Sequence, residues 1–143
     1  HENITSSCLD LMADLPNDFD LFNSLSCLHA IEHFGLGRYG DPIDPNGHIK
    51  GFNNLLGMLE DEGVLYISFP VGEKAEVHFN AHRVFHPRDI LDWPTPDCKI
   101  YIRRFDYVDD QGDLHLDIKL DDFNTDAKFG LGIYTIVKNG RPS

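Results

Sequence analysis

The chain is poor in basic residues and has no long apolar run, and each shortage excludes a class of function. Only 12 of its 143 residues are Lys or Arg, against 24 Asp or Glu, so the formal net charge is -12. This charge repels phosphate backbones and anionic lipids, so we expect neither a nucleic acid nor a membrane surface as partner. No apolar run approaches the roughly 20 residues of a membrane-spanning helix, and no signal peptide is recognisable.

Cysteine is also scarce. The three cysteines, Cys8, Cys27 and Cys98, are odd in number and form no C-x-x-C pair. This argues against a disulfide framework and a thiolate zinc site, and we expect a reducing, cytoplasmic setting. Because the first residue is His1 and not Met, we also expect a fragment or processed product. Hydrophobic residues make up 41% of the chain, which is enough for the core of one domain.

Hydrophobic periodicity predicts a strand, a helix and a second strand in succession. The apolar run at 19–28 is typical of a strand buried on both faces. Apolar residues at 49–59 recur at helical spacing, and Gly63 is expected to cap that helix. The run at 64–69 predicts the second strand, which Pro70 and Gly72 should end. A strand, a crossover helix and another strand form a βαβ unit with parallel strands.

The last third of the sequence predicts antiparallel structure. We expect a short helix at 86–93 and a strand around 100–102. A turn at 109–113 should join that strand to a half-buried strand at 114–120, where apolar and polar residues alternate. The run at 132–137 predicts the final strand. Parallel strands followed by an antiparallel edge indicate an α/β sheet.

Several strings along the chain carry a resemblance to a known family. They are Leu-His-Ala-Ile-Glu-His-Phe-Gly-Leu-Gly-Arg-Tyr-Gly-Asp-Pro at 28–42, Pro-Val-Gly at 70–72, Phe-Asn-Ala-His-Arg-Val at 79–84 and Gly-Leu-Gly-Ile-Tyr at 130–134. They resemble the methyltransferase-like domain-of-unknown-function family first defined on nematode proteins, within the class I S-adenosylmethionine-dependent methyltransferases. The resemblance implies the second half of a three-layer Rossmann-like fold, with parallel core strands and an antiparallel C-terminal edge. It also implies S-adenosylmethionine as cofactor and a small molecule or glycan precursor as substrate.

The first half of such a domain has no counterpart in these residues. Class I methyltransferases carry a glycine-rich turn after their first strand, and nothing before Asp10 can supply one. We therefore treat 1–143 as a single methyltransferase-like domain that lacks the N-terminal cofactor-binding half. On its own it should bind S-adenosylmethionine weakly or not at all. The resemblance makes Asp10 a candidate for contact with the adenine. Because a sheet cut at its middle has an unpaired edge, we expect a homodimer or a further segment that completes it.

Polar residues follow both predicted parallel strands. They are His29, Glu32 and His33 after the first strand, and Asn80, His82 and Arg83 after the second. Because the carboxyl ends of parallel strands meet at one edge, these residues should form one cluster. His33 and His82 are then candidates for acid–base catalysis, and the other four for substrate binding. An ion pair between Glu32 and Arg83 is predicted. The alternative is that these groups only tie two loops together.

Other patterns give competing hypotheses. The segment 29–33 matches H-x-x-E-H, which in a helix would indicate a metal-dependent hydrolase, but the glycines after it favour a loop. His78, His82 and His86 are spaced by four residues, yet Pro87 also favours a loop. We therefore assign no metal site.

The glycines at 35, 37 and 40 match a dinucleotide fingerprint that lacks the helix it requires, so we reject it. A non-catalytic methyltransferase-like binding or scaffold domain stays open as the alternative function.

Overall fold

The computed structural model describes residues 2–78 and 81–139, and in these ranges the chain forms two sheets and one α-helix. The strands are β1 (Phe22–Leu28), β2 (Leu59–Val71), β3 (Glu76–His78), β4 (His82–Val84), β5 (Ile100–Val108), β6 (Leu114–His115) and β7 (Gly130–Lys138), and the helix is α1 (Gly47–Gly57). The larger sheet has the order β1-β2-β7-β5-β6, and β3 and β4 form a separate hairpin. Neither described range contains a helix long and apolar enough to cross a lipid bilayer.

The predicted βαβ unit is confirmed. Strands β1 and β2 are parallel, with Leu25 opposite Leu65 and Cys27 opposite Ile67. Helix α1 connects them and buries one apolar stripe in the same core. This stripe consists of Phe52, Leu55 and Leu56.

The predicted helix end was wrong, because α1 ends at Gly57 and Gly63 lies within β2. Phe22 pairs with Leu59 and Ser24 pairs with Val64, so the residues from 60 to 63 form a bulge in β2. Glu62 has a positive φ of 64°, and a Cβ at Gly63 would lie 2.8 Å from the carbonyl oxygen of Glu60. The glycine is therefore needed for a tight turn inside the strand.

The two faces of the larger sheet differ in how they are covered. One face carries the core, in which Phe69 of β2 stacks on Tyr134 of β7 with 4.8 Å between ring centroids. On the other face Tyr66 and Tyr101 are exposed, and Leu28 retains 60% of its accessible surface. Strand β1 is therefore not buried on both faces as predicted. It lies at the edge, and alternate side chains of its open face contact solvent.

The antiparallel part of the sheet agrees with the prediction in topology but not in detail. Strand β7 lies between β2 and β5, and the predicted hairpin is formed by β5 and β6. The expected strand at 114–120 was wrong, since only Leu114–His115 pairs with β5. Leu114 and Leu116 are 56% and 57% exposed, because within residues 2–78 and 81–139 no element packs over these two side chains.

The helix expected at 86–93 is a single 3-10 turn, Asp89–Asp92. The Asp89 carboxylate accepts a hydrogen bond from the His86 backbone N–H at 2.8 Å. The buried hydroxyl of Tyr134 donates to the Pro87 carbonyl at 2.7 Å. These tertiary bonds hold the segment, and it is too short for an α-helix to be stable without such support. The second strand passes through Pro70 and ends at Val71, directly before Gly72, the second of the two residues predicted to end it.

Candidate active site

The chain leaves the carboxyl end of β1 through a strained residue. His29 adopts a left-handed conformation with φ of 52°, and after Ala30 the chain forms a 3-10 turn, Ile31–His33. Non-glycine residues in this region cost about 1–3 kcal/mol and are concentrated at functional sites. The turn places Glu32 beneath the rim of the sheet and His33 at its surface.

Glu32 is a buried carboxylate with incomplete hydrogen bonding. It retains 2% of its accessible surface. Its Oε1 lies 3.4 Å from Nδ1 of His29 and 3.7 Å from Nε2 of His33. Among the described residues Oε2 has no hydrogen-bond partner. A buried carboxyl oxygen left unpaired is unfavourable, and such groups are characteristic of functional sites.

His33 joins the two loops that were predicted to meet. Its Nδ1 lies 2.7 Å from the backbone carbonyl of Ala81. Because a carbonyl can only accept, Nδ1 carries a proton. Nε2, which faces Glu32, is therefore the ring nitrogen that can gain or lose a proton.

His82 lies at the start of β4, beside His33. Its ring stacks on His78 with centroids 5.0 Å apart and meets His33 edge-on at 6.4 Å. Desolvation by burial, followed by the electrostatic influence of His78 and His33, lowers the pKa of His82 and favours its neutral ring. Its Nε2 is buried and has no hydrogen-bond partner in the described residues.

Arg83 does not form the predicted ion pair with Glu32. Its buried guanidinium donates to the carbonyls of Phe34 and Asp44 instead, the latter at 3.3 Å. The planar fork of arginine suits two carbonyls that an irregular loop turns inward. Burial lowers the pKa of Arg83 while the charge of Asp44 opposes that change. Arg83 therefore fixes the loop between β1 and α1, and among the described residues it has no ion pair with Glu32.

That loop is closed by the Asp41 carboxylate. It accepts backbone hydrogen bonds from Gly35 at 3.0 Å, Gly37 at 3.4 Å and Tyr39 at 3.2 Å. Desolvation would raise the pKa of Asp41, but these N–H donors outweigh it and hold the pKa below its usual range. The N–H groups of Gly35 and Gly37, two of the three glycines of the pattern, thus bind an internal carboxylate, and no helix N-terminus follows them directly.

The histidine motifs do not assemble as metal ligands. The segment 29–33 is a turn, so its two histidines do not lie one α-helical turn apart. His78 and His82 face each other across the β3–β4 hairpin. Within residues 2–78 and 81–139 no three His, Cys, Asp or Glu side chains are close enough together to hold a metal ion.

The residues predicted for the cofactor are only partly placed. Asp10 is exposed, and its Oδ1 accepts the backbone N–H of Met12 at 2.8 Å. Asn80 lies outside the described residues. With Asp41 occupying the N–H donors of the loop, these residues alone do not form a complete site for S-adenosylmethionine.

Two neighbours of the site were not among the predicted residues. The Arg38 guanidinium donates to the Ala81 carbonyl at 3.3 Å, and Tyr39 meets His33 edge-on with centroids 6.2 Å apart. Both belong to the string at 28–42 that carried the family resemblance, so the signal was in the sequence. Its short-range pattern, however, gave no reason to choose them over their neighbours.

Comparisons with known proteins agree with this architecture. The chain matches a solved structure described as an S-adenosylmethionine-dependent methyltransferase from Clostridium acetobutylicum, with a TM-score of 0.54 and 13% identity. The match covers 94% of this chain and 64% of that one, so this chain spans about two thirds of its length. This confirms the predicted methyltransferase-like Rossmann fold. No curated protein sequence matches.

The family match is more specific than the structural one. Residues 4–91 match the family described as "Caenorhabditis protein of unknown function, DUF268". This range contains β1, α1, β2 and the residues around His33 and Arg83. The match covers more than half of the chain, and the chain therefore belongs to this family, as its sequence motifs predicted.

Proposed function

We propose that this chain carries the acceptor side of a methyl-transfer site that uses S-adenosylmethionine and acts on a small molecule or glycan precursor. Residues 1–143 would then correspond to the second half of a methyltransferase domain. The fold supports this proposal, because the similar solved protein is described as such an enzyme. The observation that carries it is the Glu32–His33 pair at the carboxyl end of β1, where open α/β sheets bind their ligands.

The chemistry of the pair suits proton removal. Methyl transfer to a hydroxyl oxygen or to an N–H nitrogen releases the acceptor's proton, which a general base can take. In our proposal His33 takes it at Nε2, since Nδ1 is held by Ala81. The resulting imidazolium would lie 3.7 Å from Oε1 of Glu32, whose negative charge stabilises it in a poorly solvated position. S-adenosylmethionine would supply the methyl group.

His82 is the second candidate for acid–base chemistry. Desolvation and the two neighbouring histidines lower its pKa, which favours the neutral ring with one unprotonated nitrogen. In our proposal it accepts a hydrogen bond from the acceptor and orients it toward His33. His29 and Glu32 complete the rim on the β1 side.

The test is methyl transfer from methyl-labelled S-adenosylmethionine by the full-length native protein, using a panel of small hydroxylated and carboxylated acceptors and sugar precursors. His33→Ala should lower kcat by about 10²- to 10⁴-fold, the usual contribution of a general base. His115→Ala is the matched control, because His115 also pairs with a carboxylate, Asp109 at 2.8 Å, but at β6. Equal activity of the His33 variant and the wild type would contradict the proposed role.

A binding measurement separates the enzyme from the alternative of a non-catalytic scaffold. The 143-residue chain should bind S-adenosylmethionine more weakly than micromolar, and calorimetric titration measures this directly. If the full-length protein binds the cofactor but methylates nothing, the scaffold function is favoured. A cytoplasmic location stays a prediction, based on cysteines that form no disulfide.

A further inference from the structure

The Arg38 guanidinium lies beside the candidate base. Its Nη1 donates at 3.3 Å to the same Ala81 carbonyl that accepts Nδ1 of His33 at 2.7 Å. One backbone oxygen therefore brings a permanent cation and the imidazole together. The other N–H groups of the Arg38 guanidinium donate no hydrogen bond within the described residues, and the side chain is exposed.

The carboxylates near Arg38 are already engaged. Asp41 accepts three backbone N–H groups, and Asp44 forms an ion pair with Lys50 at 2.6 Å. Glu32 is buried beneath the rim. In the part of the chain that the structure describes, Arg38 has no ion pair, although the whole chain has a net charge of -12.

An exposed aromatic ring lies next to this cation. Cζ of Arg38 is 5.4 Å from the ring centroid of Tyr39, which retains 72% of its accessible surface. The same ring contacts His33 edge-on. Cation, aromatic ring and imidazole therefore lie together on one exposed stretch of the rim, where a guanidinium can pair with an anion while the ring contacts the group attached to it.

We propose that Arg38 binds an anionic group of the acceptor, a carboxylate or a phosphate, and thereby restricts the site to acceptors that carry one. This inference rests on the proposed function, since it names the class of acceptor. A guanidinium binds either anion through two parallel N–H bonds, which fixes orientation as well as position. The bound anion would hold the rest of the acceptor over Tyr39 and within reach of His33.

The test is calorimetric titration of the full chain, without S-adenosylmethionine, using glycolate, inorganic phosphate and the neutral analogue glycolamide. Arg38→Gln should weaken binding of the preferred anion about 10- to 100-fold, the usual loss for a charge-assisted hydrogen bond. Arg103→Gln is the matched control. It removes the same charge from an exposed arginine on β5 that has no ion pair among the described residues. Glycolamide should not bind to the wild type or to either variant. Whichever of glycolate and phosphate binds the wild type more tightly identifies the anionic group as a carboxylate or a phosphate.

Several results would overturn the inference. These are equal weakening by both substitutions, unchanged binding in the Arg38 variant, and no saturable binding of either anion by the wild type. Methyl transfer to neutral acceptors that Arg38→Gln leaves unchanged would also overturn it, while leaving the proposed function intact. Conversely, anion binding that depends on Arg38 in a full-length protein without methyltransferase activity would support the anion site and contradict the proposed function.

Discussion

His33 and Ala81 connect the loops that follow the two parallel strands, through a hydrogen bond of 2.7 Å from the imidazole Nδ1 to the carbonyl oxygen. The bond spans 48 residues of sequence. It fixes the tautomer of the candidate base and at the same time holds the β3–β4 hairpin against the rim. Structural and chemical roles of His33 are therefore separable, because they use different ring nitrogens.

His33→Asn should separate the two roles. The asparagine amide can donate from nearly the position of Nδ1 but has no counterpart of Nε2. We expect His33→Ala to lower the free energy of unfolding by about 1 kcal/mol, the net value of one hydrogen bond, and His33→Asn to lower it by less than half of that. Urea denaturation measures both. Equal losses would show that the bond to Ala81 does not contribute to stability.

The pKa of His48 predicts a loss of stability in mild acid. Desolvation, assisted by the charge of Arg83, lowers this pKa to about 4. The unfolded chain takes up the proton near pH 6.5 and the folded chain only near pH 4, so stability falls as the pH falls between these values. The loss should approach about 3 kcal/mol at pH 4.

His48→Phe is expected to remove this part of the pH dependence. Phenylalanine keeps a ring against Phe85 and Trp93, both 5.3 Å from His48 between centroids, and cannot be protonated. Urea denaturation from pH 7 to pH 4 should give a flatter curve for the variant. Parallel curves for the two proteins would show that His48 is protonated equally easily in the folded and unfolded states.

Two glycines of α1 should respond in opposite ways to alanine. A Cβ at Gly47 would lie 2.8 Å from backbone atoms of Gly35, whereas at Gly57 its nearest neighbour is a side-chain carbon of Leu15 at 3.5 Å. Gly47→Ala should cost about 1–3 kcal/mol, because backbone atoms must move. Gly57→Ala should be neutral or stabilise by up to about 1 kcal/mol, since alanine favours the helix. Thermal unfolding measures both, and a stable Gly47 variant would contradict the close approach.

The open edge of β1 predicts association. β1 has no charged residue and no proline, and among the described strands only β2 pairs with it. The opposite edge, in contrast, ends in the two-residue strand β6, and β5 beside it carries Arg103 and a bulge, two features that discourage pairing. We expect the 143-residue chain to dimerise or to bind a further segment along β1. Sedimentation should show this association.

Ser26→Lys places a charge on that edge and should weaken association at least tenfold. Ser6→Lys, in the exposed segment before β1, adds the same charge elsewhere and should leave it unchanged. A stable monomer at low concentration, without any bound chain, would contradict the prediction.

Local hydrophobic periodicity was sufficient to predict the βαβ unit, because most of the apolar residues of α1 and β2 that define the pattern are buried in the folded protein. It failed at 114–120, where alternation predicts a strand with one covered face, but Leu114 and Leu116 are exposed and only Leu120 is buried in the core. Whether a face is covered is decided by distant parts of the chain, which spacing alone does not reveal. The bulge after Leu59 was missed for a similar reason, since pairing with β1 determines where β2 begins.

The location of the site could be predicted from the sequence, but most of its hydrogen-bond partners could not. Topology brings the two loops together, and the structure shows them joined through His33 and Arg83. The partners of Arg83 are carbonyls, however, and a carbonyl is present at every position of the sequence. Charge complementarity therefore suggested Glu32 as the partner of Arg83. The carbonyl oxygens that actually accept its hydrogen bonds are positioned by the backbone conformation around Gly35, which is defined only in the folded loop.

The packing around Trp93, the single tryptophan of the chain, gives the protein a built-in optical reporter. Its indole is buried against the rings of Phe52, Phe69 and Phe85, which come from α1, β2 and the segment after β4. His48 lies edge-on to the same indole. The fluorescence of Trp93 therefore reports on the packing between the helix, the sheet and the hairpin. Protonation of His48 should quench this fluorescence, so it can be measured without an attached label.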